Sequence, residues 1–209
     1  MSITKTKIPV TITFRLILFS LALLSFETLD QKAEASDSAD DFSTIEHQIG
    51  SDLKFINTSK AKLLTKSKNW LVIRESKPNQ HYVCHAVTHP VKTEFFTDER
   101  STASLIVTYL NPKMYTISVY SGFIMKTKQN TILTIDEVQY SLPYNRLSFA
   151  TTTSSEQDIK IINLMLTTSQ YVKIKSNSYE QKIAVDYYSL DGFRNALIYM
   201  EKNCTKSGK

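Results

Sequence analysis

His81, His85 and His89 are the first residues in this sequence whose type and spacing could do chemistry. On a helix, a step of four would bring all three to one face, where imidazoles ligate a metal. The stretch that carries them, Tyr82 to Thr88 with Pro90 just beyond, reads as a strand instead. Alternation still keeps them on one face, but successive histidines then stand roughly 13 Å apart, because a strand rises about 3.3 Å per residue. One ion cannot bridge that. The expectation is three exposed strand histidines opposite the Cys84 face, whose titration in an acidic compartment would alter surface charge.

Other chemistries fare no better. A serine hydrolase needs a nucleophile, a base and an orienting acid, yet the sequence holds no Gly-x-Ser-x-Gly elbow and only four histidines. Asp136 and Glu137 are neighbours, so on a strand they point to opposite faces. No Cys-x-x-Cys, His-Glu-x-x-His or Gly-rich phosphate loop occurs. The sequence names no catalytic, cofactor-binding or metal-binding residue, and the expectation is a non-enzyme without cofactors. A small hydrolase is the alternative from a different class.

Cys84 and Cys204 are the only cysteines. How they are read depends on compartment. Lys5, Lys7 and Arg15 precede an apolar run from Leu16 to Phe26, followed by Ala33-Glu-Ala. A basic start, an apolar core of about eleven residues and small residues before a cut match a secretory signal peptide, cleaved between Ala35 and Ser36. A bilayer span would need about twenty apolar residues, and an uncleaved anchor beginning near Ile8 and tolerating Arg15 is the competing reading. Outside the cytoplasm a lone cysteine pair reads as a disulfide. Closing a loop of about 120 residues would stabilise by roughly 4–5 kcal/mol in the chain-entropy model. Two free buried thiols are the competing reading.

The elements that must position these residues follow from pattern. The chain has 209 residues, 42% of them apolar, and four glycines, enough for one full core and unlike a disordered or collagen-like chain. Residues 1–35 read as the signal peptide, 36–68 as a flexible polar extension, 69–204 as one domain and 205–209 as a tail. The lysines Lys54, Lys60, Lys62, Lys66 and Lys68 in the extension suit weak contact with an anionic membrane or polysaccharide surface, and equally a plain solvated stretch. The formal charge of +5 is mild and its lysines scattered, which argues against nucleic acid.

Strands are expected at Trp70–Arg74, Tyr82–Val87, Ala103–Leu110, Tyr115–Tyr120, Thr131–Ile135, Glu137–Leu142, Tyr171–Lys175 and Lys182–Tyr188. Asp158–Thr168 shows helical spacing at Ile161, Ile162, Met165 and Leu166. Phe193, Ala196, Leu197 and Met200 form the stripe of a terminal helix ending at Cys204, with Ser189 or Asp191 as its N-cap. This order predicts a mainly β single-domain sandwich with a mid-chain helix and a C-terminal helix docked on its margin. Tyrosines that face outward beside lysines would make an adhesive surface, since tyrosine buries area at low entropic cost.

These segments, in this order, resemble the invasion-associated locus B family of alphaproteobacterial envelope proteins. The likeness runs from Trp70 through Cys84-His-Ala-Val-Thr-His-Pro, Leu105-Ile-Val-Thr-Tyr, Ile117-Ser-Val-Tyr-Ser-Gly-Phe and Thr134-Ile-Asp to the helix at Asp158–Leu166. Its most specific part is Asp186-Tyr-Tyr-Ser-Leu-Asp-Gly-Phe-Arg-Asn-Ala-Leu, ending in Cys204. The chain departs from the pattern at Phe149, where the family has tryptophan, and at Ser169-Gln170, where it has glycine. The resemblance implies a periplasmic, secreted or surface-associated protein linked to host-cell invasion, meeting an unknown host or envelope macromolecule. It carries over no catalytic residue. A secreted effector acting in host tissue is the alternative of the same origin.

Overall fold

The computed structural model describes residues 61–77, 82–96, 99–111, 114–146, 148–167 and 170–204. The signal peptide with its cut between Ala35 and Ser36, the stretch up to Lys60, His81 and the tail at 205–209 lie outside the described residues.

Two antiparallel sheets face each other. The first has seven strands: β1 (Ala61–Ser67), β2 (Trp70–Ser76), β3 (Tyr82–Thr88), β5 (Ser104–Asn111), β6 (Met114–Tyr120), β10 (Phe149–Thr151) and β9 (Tyr144–Arg146), in that spatial order. The second has five: β4 (Pro90–Glu94), β12 (Ile183–Ser189), β11 (Tyr171–Asn177), β7 (Thr131–Ile135) and β8 (Val138–Leu142). Helix α1 spans Ser155–Thr167 and α2 spans Phe193–Cys204. The expected β-sandwich with two helices is therefore observed.

Alternation builds the core. In β2, Trp70 and Val72 point inward with Cys84 and Ala86 of β3 and Leu105 and Val107 of β5. Leu133 and Ile135 of β7 and Val172 and Ile174 of β11 meet them from the second sheet. The apolar stripes of both helices, Ile161, Ile162 and Met165 in α1 and Phe193, Ala196, Leu197 and Met200 in α2, complete the same cluster. On the opposite face of the seven-stranded sheet, Leu63, Ile73, Val87 and Ile106 form a second buried apolar cluster.

Two boundaries differ from the sequence reading for physical reasons. Residues 61–67, assigned to the polar extension, form β1, which pairs antiparallel with β2 from Ala61↔Glu75 to Ser67↔Trp70. A β-bulge between Leu63 and Thr65 breaks the alternation that would have announced the strand. Helix α1 begins at Ser155 rather than Asp158, because Ser154 caps it: its hydroxyl accepts the Gln157 N–H at 3.2 Å. The Gln157 side-chain oxygen in turn accepts the Thr153 N–H at 3.1 Å, a variant of the capping box.

Candidate interaction surface

The C-terminal helix is held by three different ties. Cys84, fully buried in β3, and Cys204, the last residue of α2, form a disulfide across 120 residues, with Cα atoms 6.2 Å apart. Trp70, also fully buried, donates its indole N–H to the Ser189 carbonyl at 3.0 Å and packs its ring 4.7 Å from that of Phe193. Asn69 donates to the Ser189 hydroxyl at 3.1 Å, and Lys68 pairs with Asp191 at 2.8 Å. Neither Ser189 nor Asp191 caps α2. Ser189 instead accepts the Asp191 N–H at 3.2 Å, and Gly192 stands just before the first helical residue with its carbonyl taking the Ala196 N–H. Gly192 has φ +93°, and a Cβ there would sit 2.1 Å from the Ser67 carbonyl oxygen, so only glycine allows this approach.

His85 and His89 do not stand in the exposed row that alternation predicts. His85 does face away from Cys84, but its side chain is only 12% exposed. It lies between β2 and β5, opposite Ile73 and Thr108 in the register. Its Nδ1 is 3.0 Å from the Thr108 hydroxyl, and its Nε2 is 3.4 Å from the Glu75 carboxylate, which Lys77 also engages at 2.7 Å. Burial lowers the imidazole pKa, against the opposing pull of Glu75. His89 is half-buried, its Nδ1 3.1 Å from both the Ala103 carbonyl and the Ser104 hydroxyl. Among the described residues no cluster of three or more His, Cys, Asp or Glu could hold a metal ion.

A buried ion pair, unseen in the sequence, ties β12 to the loop before β5. Asp186 is 1% exposed and receives Arg100 through both guanidinium nitrogens, one of them at 3.1 Å. The Thr93 hydroxyl donates to the same carboxylate at 2.7 Å, and Arg100 also donates to the Ser121 carbonyl at 3.0 Å. The guanidinium lies 5.2 Å and 5.7 Å from the ring centres of Phe96 and Phe123, which stack on each other at 4.9 Å. With its charge, hydrogen bonds and aromatic faces all engaged, this arginine is a structural bolt. Nearby, Tyr188 is fully buried with no hydrogen-bond partner for its hydroxyl among the described residues, and burial pushes its phenol well above the ordinary range.

The outer face of the five-stranded sheet has a different character. In β11, Tyr171, Lys173 and Lys175 are exposed while Val172, Ile174 and Ser176 are buried. The register sets Lys173 opposite Tyr187 of β12, and Tyr187 opposite Lys92 of β4, giving a lysine–tyrosine–lysine row. On the other side Lys173 pairs with Thr134, and Thr134 with Gln139. The neighbouring row runs Glu94, Val185, Lys175, Ile132 and Ser141. Glu94 accepts from Lys92 at 2.5 Å and from the Tyr187 hydroxyl at 3.0 Å. The Lys92 hydrogen bond, then that of Tyr187, lowers the Glu94 pKa, and Glu94 in return raises both partners. The Lys92 ammonium also lies 5.3 Å from the Tyr187 ring centre, a cation–π distance.

Two concave features are lined by described residues. An open groove of about 680 Å³ runs between the end of α1 and the β12–α2 turn, and its charged residues Asp191 and Arg194 are engaged by Lys68 and by the Leu166 carbonyl. A smaller cleft of about 260 Å³ is lined by Phe96, Phe123, Ile124 and Tyr179 with Glu99 and Glu180. Glu180 is already paired with Lys182 at 3.2 Å.

No helix among the described residues is long and apolar enough to cross a membrane. No family model and no curated protein matches the chain. Among solved structures, the crystal structure of invasion associated protein B from Bartonella henselae is similar, with a TM-score of 0.50 and 13% identity over 68% of this chain and 100% of that one. The likeness that Trp70, Cys84 and the Asp186–Cys204 stretch pointed to is therefore shown at the level of fold.

Proposed function

We propose that the chain is an exported, non-enzymatic protein that works by binding at the cell envelope or the host interface. The observation that carries this reading is the disulfide between its only two cysteines, which fastens the third strand to the last helix. Such a bond persists in oxidising compartments and is rare in the cytosol. The fold shared with a protein described as invasion-associated supports the same reading, as does the leader-like start before Ser36. The absence of enzymatic activity is part of the proposal, because the half-buried histidines serve strand packing and the buried carboxylate Asp186 serves Arg100.

Fractionation with N-terminal sequencing is the test. The expected result is a chain beginning near Ser36 in periplasm, outer membrane or medium, with no thiol labelling until reductant is added. A cytosolic chain with an intact leader and two labelled thiols would overturn the reading. Recovery from the medium alone would favour the freely secreted form over the envelope form.

A further inference from the structure

We propose that the outer face of the five-stranded sheet is a docking surface for an acidic polysaccharide carrying uronate or sulfate groups. Of the lysines on it, Lys92 is tied to Glu94 and Tyr187, whereas Lys173 and Lys175 make no close contact of that kind. Lys173 and Lys175 sit on β11, the central strand of the order β4-β12-β11-β7-β8, so they do not guard a sheet edge, the usual structural use of a strand lysine. Neither has an ion-pair partner among the described residues. Standing two residues apart on one face, they repel each other at about 7 Å. Lysine is also a poor strand former, so the fold alone would favour threonine or valine there.

The rest of the face fits a sugar polymer. Lys92 is 62% exposed even while it pairs with Glu94. Tyr187 and Tyr171 supply aromatic surface for a pyranose ring, and Thr134, Gln139 and Ser141 supply hydroxyl and amide groups on the same side. The registered rows Lys92–Tyr187–Lys173–Thr134 and Glu94–Val185–Lys175–Ile132 cross the strands side by side, an arrangement that suits an extended chain lying across them. A membrane-inserting surface would carry protruding apolar tips, and here the apolar members are Ile132 and Val185, both recessed between longer side chains, with Ile183 38% exposed at the strand's start.

This deepens the export reading and rests on it for the polymer to be within reach. Export is tested by fractionation, whereas binding is measured on the purified, oxidised chain, so each can fail alone. Titrating labelled dextran sulfate and polygalacturonate, with neutral dextran as control, should show binding that weakens steeply between roughly 50 and 200 mM salt. Lys173→Glu with Lys175→Glu should cost about tenfold or more in affinity and flatten the salt dependence by about two released counterions. The matched pair Arg146→Glu with Lys202→Glu, which reverses exposed charges on β9 of the other sheet and on α2, should change affinity by less than about twofold. Unchanged thermal unfolding of both pairs would show that folding is preserved. Equal losses in the two pairs, no binding to either acidic polymer, or binding only to phosphatidylglycerol vesicles would each overturn the proposal.

Discussion

Replacing Cys84 and Cys204 with alanine should lower stability by a large fraction of the whole, and the size follows from where the bond sits. It closes a span of 120 residues. In the chain-entropy model that constraint removes about 16 cal/mol/K from the unfolded ensemble, or about 5 kcal/mol at 25 °C. Small domains are stable by about 5–15 kcal/mol, so between a third and nearly all of the margin depends on this bond. The protein supplies its own probe. Its single tryptophan, Trp70, is fully buried against Phe193 of the helix that the disulfide anchors. Urea unfolding followed by its fluorescence should show the midpoint of the double variant lower by about 2 M or more, taking a slope near 2 kcal/mol/M. Reduced wild type should match the double variant, and Cys84→Ala alone should match both, since one thiol cannot constrain the chain. A reduced protein whose midpoint stays within about 0.5 M of the oxidised one would refute the argument. It would mean that the Trp70 and Asn69 ties fix α2 unaided, or that the unfolded chain is already held compact near these residues.

Two further perturbations test the interior. Asp186→Asn removes the only carboxylate that Arg100 meets in its pocket, leaving an 11% exposed guanidinium with neutral partners, and should cost about 3–5 kcal/mol in thermal or urea unfolding; a loss below about 1 kcal/mol would show that Ser121 and the two phenylalanine rings suffice. For His85 the sign follows from burial. Its folded pKa lies below the ordinary 6.5, so the unfolded chain binds the extra proton first, and this residue's contribution to stability, full above that value, is lost as pH falls through it. Glu75 and Lys77 are the charged groups that act on it, the first raising and the second lowering its pKa. Unfolding measured at pH 7.5 and pH 5.5 should therefore show a larger loss for wild type than for His85→Gln; parallel losses would sink the assignment.

The strands that sequence made legible are those with a buried face and a wet one. Thr131–Ile135 and Tyr171–Asn177 alternate cleanly in burial, and the periodic reading found both. Those it missed lack that contrast. Pro90–Glu94 has no buried residue, and its exposed Thr93 donates to the Asp186 carboxylate rather than packing in the apolar core. Tyr144–Arg146 and Phe149–Thr151 are three residues each, too short to repeat a two-residue period twice. The disulfide was readable because only two cysteines exist to pair. The Arg100–Asp186 bolt was not, since 86 residues separate its partners and nothing local marks either one. The outer lysine row shows the boundary most clearly. Alternation in β11 told which residues share a face, but only the pairing of β11 with β12, and of β12 with β4, brings Lys173, Tyr187 and Lys92 into one line.

The two sheets also divide their tasks, and the division explains why the candidate surface lies where it does. The seven-stranded sheet carries apolar residues on both faces: the main core on one and Leu63, Ile73, Val87 and Ile106 on the other. The cysteine-bearing strand β3 belongs to it, and α2, which carries the other cysteine, makes most of its contacts with it. It is the sheet that stability needs. The five-stranded sheet offers its inner face to the same core and exposes Tyr171, Lys173 and Lys175 on the other, where substitutions of exposed residues cost little folding energy. A surface under so little structural constraint can hold two unpaired lysines in its central strand only at a small cost in propensity and repulsion. Lys92 is held by Glu94 and Tyr187, and Lys173 acts on Glu94 only at a distance, so the proposed docking accounts for Lys173 and Lys175 better than packing does.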